Sequence, residues 1–479
     1  MLCVVKNFLI IIILFCICNK SSLQKEDSNE KLLFVLEHFR HGARGSYKSF
    51  DYKLWKDIFN EEWKGAGELT PLGMRQHYLL GKSVRNKYKN FISNEFNPNE
   101  IYIISTDVNR TLISAYSHLL GIYNITNVNK NGYINNKNYS DIINNKINDE
   151  EKNYKIFPIH IYNEKDLKFQ LYRTEVCPGF EQFIKKIRES EGMKKIYKDV
   201  FDKTNTIFGK YLTKYIDQKL IDNYDYKAYF NALKPVCDSF IADNFDGRII
   251  EDLSKTGINM DEFNEHCLNI SLITVYYNYY GNPVEKSVEF GISPTFRDIF
   301  AFMDKRINLD KENNPDKIIS SSPKFVIISS HDVSLAAFDL FFKNRFNIDY
   351  KRADYANNQI FELWKRDEKY YFKYLINLET AGEFEFYDFK SKVSDLLYSD
   401  EEIKKICYNE NNNINYLEHK QENKSDKMKI INQILILIVF VLIIVLVYLI
   451  MSRKSIIYIH RSKTIEMENL SLLKNQVNH

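Results

Sequence analysis

Three short apolar runs constrain the fold of this chain more than any other feature, because each ends abruptly in a cluster of Arg, His and Asp. Leu32 to Leu36 leads into Glu37-His38-Phe39-Arg40-His41-Gly42-Ala43-Arg44. Ile101 to Ile104 leads into Ser105-Thr106-Asp107-Val108-Asn109-Arg110, with Leu112, Ala115 and Leu119 at helical spacing beyond. Phe325 to Ile328 leads into Ser329-Ser330-His331-Asp332, followed by Leu335, Ala336, Phe338 and Leu340. An unbroken apolar run of this length reads as a strand buried on both faces. Strand, polar loop and helix in that order form the α/β unit, whose ligands bind at the carboxyl ends of the strands. The reading is therefore an α/β fold, a mainly parallel sheet with helices on both faces, with the three clusters meeting at one sheet edge.

Two longer apolar segments address the membrane. Lys6 followed by Phe8 to Ile17 and polar Asn19 to Ser22 has the shape of a signal peptide, placed at 1–20. Ile434 to Met451 is 18 uninterrupted apolar residues, the pattern of a single C-terminal transmembrane helix. Arg453, Lys454, Arg461 and Lys463 follow it, which assigns 452–479 to a cytoplasmic tail and makes the chain a single-pass type I membrane protein. Between these lie a domain over 30–408, with a mostly helical cap over roughly 130–275, and an Asn-rich stalk at 409–430. The aromatic run Tyr226 to Phe230 is expected to line the substrate entrance. Asn124 to Asn153, rich in Asn, Lys and Ile, reads as a surface insertion.

Composition excludes some partners. Hydrophobic residues make up 44% and charged residues 27%, a globular balance, and a net charge of +3 gives no reason to invoke nucleic acid. Four of the seven cysteines, Cys177, Cys237, Cys267 and Cys407, fall in the exported part, where an even number points to two disulfides. No CxxC or HxxxH spacing accompanies them, so no metal site is expected. Asn-x-Ser/Thr sequons begin at Asn124, Asn138, Asn269 and Asn423, as on a glycosylated exterior.

The first cluster places two guanidiniums around one imidazole, and paired arginines can hold a phosphate by forked hydrogen bonds. Gly42 is read as letting the phosphate approach the backbone. At this point the sequence resembles the histidine acid phosphatases, the branch of the histidine phosphatase superfamily with RHGxRxP near the start and HD near the end. The first motif stands here as Arg40-His41-Gly42-Ala43-Arg44-Gly45-Ser46 and the last dyad as His331-Asp332. Gly67-Glu68-Leu69-Thr70-Pro71-Leu72-Gly73-Met74-Arg75-Gln76, Ser105 to Thr111, and Tyr355-Ala356 with Ile360 to Leu363 are similar to three intervening or later signatures. Two positions depart: Ser46 where the family usually has proline, and Ser330 where glycine commonly precedes the dyad.

The resemblance implies hydrolysis of phosphate monoesters. His41 would be the nucleophile, forming a phosphohistidine, and Asp332 the general acid. Arg40, Arg44, Arg110 and His331 would bind the phosphate, with no cofactor and no metal. It also implies a Cys177–Cys407 disulfide, which puts Cys237 with Cys267. Within the family, a phytase or a lysophospholipid phosphatase shares the same dyad; outside catalysis, the alternative is a non-catalytic receptor ectodomain on the same fold. His38 is expected off the active face, His77 and His118 in structural or surface roles, and Asp107 orienting a loop or capping the next helix.

The partners expected are a small phosphomonoester, the membrane through one span, and a second copy of the chain as a homodimer. The tail carries Glu468 four positions before Leu472-Leu473, a spacing that sorting adaptors read, which directs the chain to a lysosome or acidic vacuole, with the plasma membrane as the alternative.

Overall fold

The computed structural model describes residues 30–47, 66–123, 157–161, 176–212, 216–246, 259–281, 287–312 and 322–408. The segments read as signal peptide, stalk, transmembrane helix and cytoplasmic tail, with Leu472 and Leu473, lie outside the described residues, as does the Asn124 to Asn153 insertion. Among the described residues no helix is long and apolar enough to cross a membrane.

The apolar runs become the centre of a seven-stranded sheet with strand order β3-β2-β4-β1-β5-β6-β7. These are β1 (Glu30–Arg40), β2 (Ile101–Ser105), β3 (His160–Ile161), β4 (Phe325–Ser330), β5 (Asn358–Arg366), β6 (Lys369–Ile376) and β7 (Glu379–Glu385). β1 pairs in parallel with β4, and β4 with β2, in a register that sets Phe39 beside Ser329 and Ser329 beside Ser105. The carboxyl ends of the three strands therefore lie level, and the three polar clusters emerge side by side.

The sheet is mixed, where a mainly parallel one was expected. β1–β5, β5–β6 and β6–β7 are antiparallel pairs, as many as the parallel ones. Two tight turns account for β5–β6 and β6–β7. Asn377 and Leu378 both take positive φ, 51° and 71°, which is the two-residue hairpin geometry that suits strand twist, and Asp367 takes φ 52° between β5 and β6. Neither turn carries the glycine that signals such a hairpin.

Helices cover both faces. Odd-numbered residues of β1, Val35 and Phe39, pack with Val84, Ala115 and Leu119 of the Pro71–Lys87 and Asn109–Ile122 helices. Even-numbered Phe34 stacks on Phe302 of the Ser287–Glu312 helix, and His38 meets Phe338 of the Asp332–Phe346 helix edge-on. Thr70 caps the Pro71–Lys87 helix by accepting from the Gly73 amide, with Pro71 at its first position.

Of the stretch expected as a cap, His160–Ile161 instead form the sheet's edge strand β3, and the later described part is helical: Phe180–Glu189, Glu191–Leu212, Gln218–Asp222, Tyr226–Phe245 and Met260–Leu272. Its own core joins Tyr197, Phe201, Leu233, Phe240 and Phe263 with Tyr229 and Phe230. The aromatic run expected at the entrance is thus core packing, because Tyr229 and Phe230 point inward and are fully buried. Cys237 is bonded to Cys267, tying two cap helices together, and Cys177 to Cys407 across 230 residues.

Candidate active site

Strand ends place the site. His41 follows β1, and its amide donates to the Ser330 carbonyl at 3.0 Å, while the Thr106 amide donates to the Ser329 carbonyl at 3.1 Å. These bonds continue the strand pairing one residue past the sheet and pull the three loops together.

His41 is 3% exposed. Its Nδ1 lies 2.8 Å from the Gly42 carbonyl, which can only accept, so Nδ1 carries the proton and Nε2 keeps its lone pair. Burial first, and then the charges of Arg40, Arg110, His331 and Arg44, hold its pKa well below the ordinary histidine value. A neutral imidazole with a free Nε2 is the form a nucleophile needs.

Arg40 is fixed on three sides. One nitrogen donates to the Ala353 carbonyl at 2.8 Å, the other pairs with Asp332 at 2.8 Å, and the guanidinium lies 4.4 Å from the Tyr355 ring centre. Arg110 can only donate, and it meets Nδ1 of His331 at 3.3 Å, while Nε2 of His331 faces the Thr106 hydroxyl at 3.1 Å. Asp332 opens the helix after β4, and its carboxylate accepts from the Val333 amide. Burial raises the Asp332 pKa, but Arg40, His331, Arg44 and Arg352 outweigh it, so the carboxyl sits below its ordinary value. All six residues singled out in the sequence come together here.

One group at the site carries no sequence signal. Asp238, in the Tyr226–Phe245 helix of the cap, accepts from both terminal nitrogens of Arg44 at 2.6 and 3.2 Å. A solitary aspartate in a helix, 194 residues from its partner, has no spacing that would reveal it. Tyr355, part of the Tyr355-Ala356 signature noted in the sequence, flanks both Arg40 and His41.

Other expectations change. Gly42 meets protein backbone: a Cβ there would lie 2.4 Å from the Gly73 carbonyl, so the residue is small to let the loop pack on the Pro71–Lys87 helix. Asp107 does not cap the helix that follows, since Val108 occupies the cap position and no side chain bonds there. His77 and His118 are buried in the core behind the site. His77 donates to the Arg40 carbonyl at 3.0 Å, and His118 pairs with Glu37 at 3.0 Å. His38 turns away from His41 and meets the Ser330 hydroxyl at 2.5 Å, which gives the unusual serine a partner that glycine would lack.

Three comparisons bear on this arrangement. Residues 21–377 match the family model of the histidine phosphatase superfamily, branch 2. Lysosomal acid phosphatase of Xenopus laevis is 41% identical over 96 residues, 20% of this chain and 22% of that protein. Human prostatic acid phosphatase is 39% identical over 112 residues, 23% of this chain and 27% of that protein. The matched stretches thus span about a quarter of the length of these relatives. The fold is similar to that of Hafnia alvei phytase solved in complex with myo-inositol hexakis sulphate, with TM-score 0.51, 13% identity, and 77% and 98% of the two chains covered. With a family match over most of its length, the chain belongs to branch 2 of the histidine phosphatase superfamily.

Proposed function

We propose that the protein is an acid phosphatase that hydrolyses phosphate monoesters through a phosphohistidine on His41. The observation that carries this reading is a buried, neutral imidazole with a free Nε2, ringed by Arg40, Arg44 and Arg110. Three guanidiniums offset the charge of a phosphate dianion and of the transition state. His41 Nε2 attacks phosphorus, the ester P–O bond breaks, and the leaving alkoxide takes a proton from Asp332. Water then attacks the phosphohistidine and releases phosphate.

Asp332 must be protonated for the first step, yet the arginines favour its ionised form. A bound phosphate dianion offsets most of that field, and an acidic medium supplies the proton. The chemistry therefore suits an acidic compartment, in line with the lysosomal acid phosphatase among its relatives. Delivery there, by a membrane anchor at 434–451 and the leucine pair of the tail, completes the proposal.

Two variants test it. His41→Ala should abolish turnover in the purified full-length chain. Asp332→Asn should slow release of alkyl alcohols at least about a hundred-fold more than release of nitrophenol, which leaves without a proton. Equal losses on both substrates would remove the acid role from Asp332. Activity surviving in the His41 variant would end the mechanism, and a wild-type chain without activity would leave a receptor ectodomain.

A further inference from the structure

Asp339 is a carboxyl that the chemistry above does not use, buried to 3% exposure in the layer beneath the site. Isolated buried carboxylates are costly unless bonded, and this one is bonded three times. The Tyr276 hydroxyl donates at 2.7 Å, the Gln359 amide at 2.6 Å and the Tyr374 hydroxyl at 3.3 Å. Tyr276 comes from Ile273–Tyr277, a π-helical turn inserted after the Met260–Leu272 helix. Such wide turns re-aim side chains and recur at functional sites. This one sends Tyr276 into the gap between the Asp332–Phe346 helix and the loop that precedes β5.

The same hydroxyl oxygen accepts from the Ala353 amide at 2.9 Å. The Ala353 carbonyl in turn accepts from Arg40 at 2.8 Å, and Arg40 pairs with Asp332 at 2.8 Å. Hydrogen bonds on either side of the Ala353 backbone thus link a buried acid to a guanidinium placed to bind phosphate. We propose that Asp339 is a positioning residue, which through Tyr276 fixes the Ala353 peptide and so holds Arg40 in the orientation that grips phosphate. The inference rests on the phosphatase reading above.

Protonation feeds into this arrangement. Burial pushes Asp339 up to about 7, against the smaller opposing effects of its three donors. The titratable groups facing it are Tyr276 and Tyr374, with Tyr350 stacked on Tyr276 at 5.2 Å. All three tyrosines are pushed up by burial and stay neutral, and among the described residues no Lys or Arg bonds the carboxyl. In acid, Asp339 is neutral and Arg40 acts on phosphate at full strength. Above about 7 Asp339 ionises, its bond with Tyr276 changes, and the change reaches Arg40 through Tyr276 and the Ala353 backbone.

The test uses the full-length chain with 4-nitrophenyl phosphate, whose leaving group needs no proton, so that Asp332 does not dominate the pH course. Wild type should show KM rising as pH passes about 7, and Asp339→Asn, neutral at every pH, should lose that rise. Tyr276→Phe should raise KM about five-fold, the effect of one lost hydrogen bond, with kcat changed less. Calorimetry with inorganic phosphate should show the same ordering without turnover, which separates failure of this inference from failure of the phosphatase reading. Variants that keep the wild-type KM, its pH course and its phosphate affinity would overturn the proposal. So would a lowered melting temperature with those three quantities unchanged, which is what a merely structural network would give.

Discussion

Replacing Asp339 by Asn should make the protein progressively more stable than wild type as pH rises. Asp339 is raised from 3.8 to about 7 by burial, so the folded chain binds its proton more tightly than the unfolded chain does. For such a carboxyl the stability is greatest below the unfolded value of 3.8, falls as pH climbs, and levels off above about 7. Three units at about 1.4 kcal/mol each give a full cost of about 4 kcal/mol, an upper bound. About 2.5 kcal/mol of it accrues between roughly pH 5 and 8. The amide stays neutral throughout, so any fixed cost of a mismatched hydrogen bond cancels in the pH slope. At roughly 2 °C per kcal/mol for a domain of this size, the melting-temperature gap should widen by about 5 °C over that range. Differential scanning calorimetry of both forms across the range measures it. A gap that stays constant or narrows would show that the three donors offset burial and leave Asp339 with ordinary acidity.

Asp238→Asn should tighten competitive inhibition by inorganic phosphate about five-fold, because it frees the fork of Arg44 that the carboxylate occupies; unchanged or weaker inhibition would show that Asp238 only steadies Arg44. Since burial and the arginines hold His41 well below 6.5, its neutral form persists into acid, and the acid limb of kcat/KM should lie below pH 6.5. A limb at or above that value would show that burial and the arginines do not depress His41. Replacing Leu472 and Leu473 by alanine should move the protein to the cell surface, as followed by surface labelling; an unaltered distribution would remove the sorting role.

The parts of the fold that were legible were those in which one run of side chains decides the outcome. Phe325 to Ile328 cannot be solvated on either face, so a central strand follows, and the Thr70-Pro71 pair starts a helix by local chemistry alone. The β5–β7 meander was not legible, because its turns force Asp367, Asn377 and Leu378 to positive φ without a glycine to announce it. Tyr229 and Phe230 misled for the opposite reason: an aromatic run has the same composition at an entrance and in a core. The clustering of Arg40, His41, Arg110 and Asp332 was readable from the strand ends that present them. Asp238 and Tyr276 were not, since each reaches the site region from a separate helical segment and only tertiary packing aims it there.

The bond between Cys177 and Cys407 brackets the cap helices, β4, the His331-Asp332 pair and the antiparallel strands. A protease that cuts anywhere between them leaves two fragments still joined through sulfur. In a compartment rich in proteases, one nick would neither shed the cap nor part His41 from Asp332 by diffusion. The nicked protein would run as one species on a gel until a reductant was added, and loss of activity would follow the thiol and not the cut.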